Sequence, residues 1–230
     1  MLKLKFCNIV FIGAAGSGKG TQGDLIKNKF KLLKISVGDI LREYMKNLDN
    51  KHTEIIKHNI NQGKLIPSVV TNEIVAEYID DKVFQNPDKY NGILYDGFPR
   101  QMEQYNFLNE FLKNNNHKID IVVYIKIDIN HLVERLSGRF SCTKCGEIYH
   151  KHNKPLKIEN ICDVCGNDNF IYREDDANKD AIIQRFKIFE TETTQVLNEY
   201  IANSNVLIVD GMKTPDEISI EISNAIENLK

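Results

Sequence analysis

Along the chain, short runs of apolar residues, mostly β-branched or aromatic, alternate with stretches where apolar residues recur every three or four positions. The runs Phe6–Ile12, Leu32–Ile35, Ile93–Tyr95, Ile121–Ile127 and Val206–Val209 read as strands. They are apolar at nearly every position rather than at every second one, which predicts strands buried on both faces, as in a parallel sheet. Between them Ile40, Leu41, Tyr44, Met45 and Leu48 recur at helical spacing, as do Ile74, Val75, Tyr78 and Ile79. Phe186, Phe189, Val196, Leu197 and Tyr200 predict one longer helix before the last strand. Thr214-Pro215-Asp216-Glu217 forms a capping box with proline at the first helical position, and Ile218, Ile222, Ala225, Ile226 and Leu229 make that helix's stripe. All these stripes are assigned to the core. The alternation predicts an α/β fold, a five-stranded parallel sheet flanked by helices, with the polar segment Lys113–Lys118 as a solvated connection.

Two segments break this regularity and carry chemistry. The first strand runs straight into Gly13-Ala14-Ala15-Gly16-Ser17-Gly18-Lys19-Gly20-Thr21, a P-loop followed by helical sequence. Glycines there let backbone N–H groups turn inward around phosphate oxygens, and the helix adds its positive N-terminus. Lys19 would place an ammonium between the β- and γ-phosphates. Gly20 stands where most P-loop proteins carry the hydroxyl that binds Mg²⁺, which argues against a generic motor ATPase or GTPase.

The second segment holds Cys142-x2-Cys145, sixteen residues, then Cys162-x2-Cys165. Each Cys-x2-Cys turn delivers two sulfurs to one centre, so four thiolates suit a single tetrahedral zinc ion. A closed thiolate shell leaves no position for water, so the zinc is expected to staple a segment too small for its own core rather than to catalyse. His150 and His152 nearby are expected to be exposed. The fifth cysteine, Cys7, lies within the first strand and reads as a small buried hydrophobe.

With 230 residues, 42% apolar and 27% charged, the chain can bury one substantial core and carry small excursions. Thirty Lys and Arg against 32 Asp and Glu leave a net charge of -2, which does not advertise a nucleic-acid partner. No apolar run approaches the ~20 residues of a membrane span, and Met1–Lys5 leaves no room for a signal peptide before the first strand. Reduced, metal-spaced cysteines fit a cytoplasmic location.

These residues resemble the adenylate kinases, a family of nucleoside monophosphate kinases. Gly13–Gln22 resembles their phosphate loop, which carries Gly-Lys-Gly-Thr, although Ala15 stands where they usually have proline. Leu94-Tyr95-Asp96-Gly97-Phe98-Pro99-Arg100, followed by Gln104, is similar to their signature. Ser36-Val37-Gly38-Asp39-Ile40-Leu41-Arg42 resembles the start of their monophosphate site, with Val37 in place of the usual threonine. Glu134–Arg139 and Tyr172–Asp176 look like the two ends of their lid, and Asp210–Lys213 like the loop beneath the donor base. The matches run in family order, and the lid has the long, zinc-bearing bacterial form.

The resemblance implies a P-loop NTPase-type fold with a helical monophosphate-binding subdomain at 36–66, a lid at 138–175, and a core of 1–35, 67–137 and 176–230. It implies the reversible reaction of ATP and AMP to two ADP, with Mg²⁺, in a monomer. Phosphoryl transfer asks for positioning and for cations around the moving group, and guanidinium forks suit phosphate oxygens. The implied catalytic residues are Lys19, Arg100, Arg139, Arg173 and Arg185. ATP is expected at Gly16–Thr21, that is Gly16, Ser17, Gly18, Lys19, Gly20 and Thr21, and at Arg135, Arg139, Ile148, Tyr149 and Lys213. AMP is expected at Val37, Arg42, Lys64, Leu65, Ile66, Gly97, Arg100, Gln104, Arg173 and Arg185, with Asp96 orienting the waters of Mg²⁺. Two other readings remain: a kinase of another nucleoside monophosphate or one preferring GTP, and, more distantly, a zinc-ribbon nucleic-acid-binding P-loop protein.

Overall fold

The computed structural model describes residues 6–44, 52–62, 64–84, 89–172, 176 and 179–229. Five strands, β1 (Cys7–Ile12), β2 (Leu33–Ser36), β3 (Gly92–Asp96), β4 (Ile121–Lys126) and β8 (Val206–Asp210), form one sheet in the order β2-β3-β1-β4-β8. Every pairing in it is parallel. The expected five strands are present, each shifted by a residue or so at its ends.

Alternate side chains of the strands enter two separate cores. Val10, Ile12, Ile35, Tyr95 and Val122 face one side, where α4 (Ser68–Ile79), α5 (Met102–Asn114) and α8 (Thr194–Asn203) contribute Ile74, Leu108, Val196 and Tyr200. Ile9, Phe11, Leu94, Val123 and Val209 face the other, against Ile26 and Phe30 of α1 (Lys19–Phe30) and Ile218, Ile222 and Ile226 of α9 (Pro215–Glu227). Double-sided burial is what the uninterrupted apolar runs require. The edge strand β8 is the exception: Ile208 is 53% exposed, because an edge strand has a neighbour on one side only and the face carrying Ile208 is open.

The remaining helices are α2 (Val37–Tyr44), α3 (Thr53–Asn61), α6 (Ile129–Ser137) and α7 (Lys179–Ile188). The expected capping box at Thr214 is present, with Thr214 and Glu217 bonded reciprocally. Asn114 closes α5, so the connection to β4 begins two residues later than the polar segment suggested. The expected long helix before β8 is two α-helices joined by a π-helical turn, Phe189–Thr193. The wider turn admits an extra residue. It sets buried Thr193 against the core, where its hydroxyl donates to the Arg100 carbonyl at 3.2 Å. Met45 and Leu48 of the expected α2 stripe lie outside the described residues.

A second, antiparallel sheet stands apart: β5 (Arg139–Cys142) between β6 (Ile148–His150) and β7 (Phe170–Tyr172). No helix among the described residues is long and apolar enough to cross a membrane.

Candidate active site

β1 and β3 deliver the chemistry at their C-terminal ends. After Ile12 the chain turns at Gly16 (φ 84°) and Gly18 (φ 102°), a backbone that L side chains rarely adopt, and α1 begins at Lys19. No acidic residue occupies the first turn of α1, so its N-terminal amides present an uncompensated positive end. Lys19 folds back into the loop, its ammonium donating to the carbonyls of Gly13 (2.6 Å) and Ala14 (2.8 Å). Burial lowers its pKa from 10.5 to about 7; Asp96 acts in the opposite sense, and Arg100, Arg185 and Arg139 add to the lowering. A lysine that feels three guanidinium groups at once lies at the focus of a cation cage. Ser17 is buried and Thr21 exposed.

Asp96 ends β3 beside Phe11 of β1. A Cβ placed on Gly20 would stand 4.0 Å from Asp96 Oδ2 and 3.7 Å from Ile148 Cδ1. The carboxylate and the strand β6 therefore both reach the first turn of α1. A partly buried carboxylate facing the phosphate loop suits the hydrated cation that accompanies a nucleotide.

The described residues expected to bind AMP line one cavity of about 110 Å³. Val37 and Arg42 come from α2; Lys64, Leu65 and Ile66 from the segment before α4; Gly97 and Arg100 from the loop after β3. Gln104 of α5 and Arg185 of α7 complete it. Gly97 matters for space: its φ is +75° and a Cβ there would meet Arg100 Nη2 at 2.6 Å. The Arg100 guanidinium instead folds over it and donates from Nε to the Gly97 carbonyl at 2.8 Å. Buried Gln104 accepts the Arg100 N–H at 2.8 Å, which orients its carboxamide toward the cavity. Arg42 pairs with Asp39. A larger open groove of about 400 Å³ next to Lys27, Asn28, Lys31 and Tyr90 contains none of the expected residues.

One residue that received no role from sequence organises the cage. Asp176, 2% exposed, accepts hydrogen bonds from Arg139 Nε (2.7 Å) and Arg185 Nη1 (2.8 Å) and forms an ion pair with Arg139 Nη2 (2.5 Å). It therefore ties a cation of β5 to a cation of α7. Arg173 lies outside the described residues. Arg135 donates to the Gly211 carbonyl at 3.0 Å, joining α6 to the loop after β8. The Lys213 ammonium reaches Glu221 of α9 at 2.8 Å.

The four cysteines expected to bind a metal converge. Their sulfurs all lie within 4.8 Å of one another, with Cys142–Cys165 at 3.6 Å and Cys145–Cys162 at 3.5 Å. Tetrahedral thiolates held at about 2.3 Å from a metal stand about 3.8 Å apart, so the set fits one ion. The two Cys-x2-Cys turns have the same form: Gly146 N–H bonds the Cys142 carbonyl (3.0 Å) and Gly166 N–H the Cys162 carbonyl (2.9 Å). Beside them sits a small aromatic cluster in which the Phe140 ring lies 5.6 Å from Tyr149 and 5.5 Å from Phe170. The Tyr149 side chain belongs to this cluster, its hydroxyl 3.3 Å from Cys162 Sγ.

His150 departs from expectation. It is buried, because Nδ1 accepts the backbone N–H groups of His152 (3.1 Å) and Asn153 (3.0 Å) while Nε2 lies 3.0 Å from the Glu134 carbonyl. Three backbone partners satisfy the ring where a solvated histidine was expected. His152 is exposed. Cys7 is buried as expected, its thiol pushed up to about 12 by burial and, secondarily, by Asp120.

Comparison with known proteins agrees with this geometry. Residues 11–205 match the family model described as adenylate kinase. The chain is similar to the adenylate kinase of Rickettsia africae (strain ESF-5), 36% identical over 219 residues, covering 95% of this chain and 98% of that protein. It is also similar to that of Rickettsia prowazekii (strain Madrid E), 38% identical over 220 residues, covering 95% and 98%. A phosphate loop and an arginine-lined cavity at the ends of a parallel sheet thus coincide with extended similarity, and the chain belongs to the adenylate kinase family of phosphotransferases.

Proposed function

We propose that the chain catalyses reversible transfer of the terminal phosphoryl group of ATP to AMP, giving two ADP. One observation carries this reading. The cavity that gathers the expected acceptor residues includes Arg100 and Arg185, two of the guanidinium groups whose charge Lys19 feels in the phosphate loop. Donor and acceptor phosphates would meet among these cations.

No protein base is needed, since the acceptor is already a phosphate oxygen. Lys19 would leave its carbonyl partners for the donor phosphates. Arg100 and Arg42 would hold the acceptor phosphate; Arg139, Arg173 and Arg185 would gather around the transferred group. Gln104, its carbonyl oxygen used by the Arg100 backbone N–H and one amide hydrogen donated to Gln101 Oε1 at 3.4 Å, would offer its other amide hydrogen to the acceptor base. Arg135, Ile148, the backbone of Tyr149 and Lys213 would border the donor nucleoside. Magnesium, when bound with the nucleotide, would neutralise phosphate charge, and Asp96 would hold its waters.

Residues 138–175 would act as a lid that closes over the donor and excludes water, residues 36–66 as the acceptor subdomain, and 1–35, 67–137 and 176–230 as the core. Zinc, one ion per chain in the four cysteines, would be structural because the thiolates close its shell. A monomer suffices, because the cation cage and the acceptor cavity are assembled within one chain.

The test is product formation with magnesium-ATP or magnesium-GTP against AMP, GMP, CMP and UMP. Rapid ADP formation from ATP and AMP supports the proposal; preference for another pair would rename the acceptor or donor, and transfer to no acceptor by folded, metal-loaded protein would overturn it. Val37 supplies an apolar wall where a hydroxyl could bind the acceptor base. Val37→Thr should lower the KM for AMP by no more than about tenfold, the worth of one neutral hydrogen bond of about 0.5–1.5 kcal/mol.

A further inference from the structure

Lys34 is a lysine in a strand whose neighbours Leu33 and Ile35 are buried. Its side chain is only 11% exposed and runs under α1, across Gly23. A Cβ on Gly23 would stand 3.1 Å from Lys34 Cε, so glycine there makes the passage. The ammonium donates to the Gly20 carbonyl (3.1 Å) and to Asp24 Oδ1 (3.1 Å), and lies 3.9 Å from Asp96 Oδ2. The ammonium thus makes two hydrogen bonds in the first turns of α1 and faces Asp96, at the end of β3, at ion-pair distance. Burying a lysine is costly unless its charge is matched, and here Asp24 and Asp96 match it. Asp24 is itself shared, pairing with Lys27 at 2.8 Å. Asp96 consequently stands between two ammonium groups, Lys19 in the phosphate loop and Lys34 behind it. Nothing in the proposed reaction uses the second.

We propose that Lys34 is a positioning residue for Asp96: its ammonium, divided between Asp24 and Asp96, holds that carboxylate and sets how strongly the site draws a divalent cation to the bound donor nucleotide. The inference rests on the reading of Asp96 as the carboxylate that faces the metal's waters. A positive charge beside Asp96 offsets part of its pull on a cation. Removing the charge strengthens that pull, and removing the competing Asp24 carboxylate leaves the ammonium, still bonded to the Gly20 carbonyl, to be balanced by Asp96 alone of the two carboxylates, which weakens it. Loosened packing alone would move both variants the same way.

The test compares ATP affinity with and without Mg²⁺, by calorimetry on the full, lid-metal-loaded chain in buffer freed of divalent cations without a soluble chelator. The quantity read is the gain in ATP affinity that Mg²⁺ provides. Lys34→Met should raise that gain about three- to tenfold and Asp24→Asn should lower it by a similar factor, as expected for a unit charge a few ångströms away at intermediate dielectric. Asp96→Asn should remove most of it. If Asp96→Asn removes the gain while Lys34→Met and Asp24→Asn leave it within about twofold, or shift it in the same direction, Lys34 is packing alone and the inference falls. If Asp96→Asn leaves the gain intact, the reading of Asp96 fails instead. Asp24, half exposed, keeps the test open should Lys34→Met fold poorly.

Discussion

The parallel sheet and the cysteine-bearing segment of β5–β7 solve the same problem by different means. The sheet buries two continuous apolar cores, with Ile9, Val10, Leu94, Val122, Val123 and Ile125 at 2% exposure or less. Three-stranded β5–β7 buries Phe140, Tyr149 and two of its cysteines, with Leu156, Cys165 and Phe170 packed against them. Ile158, Val164, Ile171 and Tyr172 remain more than half exposed there. An apolar cluster this small cannot offset the entropy of ordering the segment, so the thiolate cluster must supply the difference. A segment whose order rests on one cluster of four thiolates can open or reorient without disturbing the sheet, which suits the proposed lid over a reaction that must exclude water. The cations of the site are divided along the same line: Lys19 and Arg100 follow strands of the parallel sheet, and Arg139 opens β5 of the antiparallel one.

The strongest test of that division is to remove one cation from each side. Lys19→Ala and Arg139→Ala should each lower turnover on the order of 10³-fold, the lower end for losing a phosphate-clamping charge. Melting temperature and metal content should barely change in the Arg139 variant; a near-wild-type rate in either folded variant would take that residue out of the cage.

Asp176 joins the two regions, so Asp176→Asn should misalign Arg139 and Arg185 together. Turnover should fall by about 10²-fold with a smaller change in substrate KM, as expected when a catalytic group is misplaced by about an ångström. Loss confined to KM would make Asp176 a binding residue rather than the link between lid and core.

Stripping the metal should separate the regions. Amide protection across β5, β6 and β7 should vanish while that of β1, β3 and β4 persists, and the melting temperature should drop by on the order of 5–10 °C. Unchanged melting together with abolished transfer would assign the metal a functional part instead.

The smallest effect concerns Lys19. Its pKa of about 7 in the free protein lies below the ordinary 10.5, so its buried charge weakens the fold below pH 7, and this penalty is relieved as pH rises from about 7 toward 10.5. Donor phosphates would raise the pKa again. Nucleotide binding at pH 8 should therefore take up most of a proton, and at pH 6 almost none, read by calorimetry in buffers of different ionisation enthalpy. Equal uptake at both pH values would show that Lys19 is already charged.

Much of this arrangement is legible in sequence, and what is not has physical causes. The five strands announce themselves because strands buried on both faces must be apolar throughout. The expected acceptor residues form recognisable local motifs, and the described ones meet in one cavity. Asp176 and Lys34 are different: each is a charged residue whose burial depends on partners from other elements, Arg139 of β5 and Arg185 of α7 for one, Asp96 of β3 for the other. His150 is buried for a similar reason, through a tight turn whose N–H groups point at its ring. The π-helical turn at 189–193 is invisible to a period of 3.6, because it changes the period locally. The paired cysteines lie at the other extreme, since ligand spacing is itself the signal.

The most direct test of the central claim follows all phosphorus species by ³¹P NMR when the purified protein, ATP, AMP and Mg²⁺ are mixed, and again starting from ADP alone. The account predicts that ATP and AMP disappear together as ADP appears, that ADP alone regenerates both, and that inorganic phosphate stays at background. Release of inorganic phosphate in place of ADP, or no change by folded, metal-loaded protein, would contradict it.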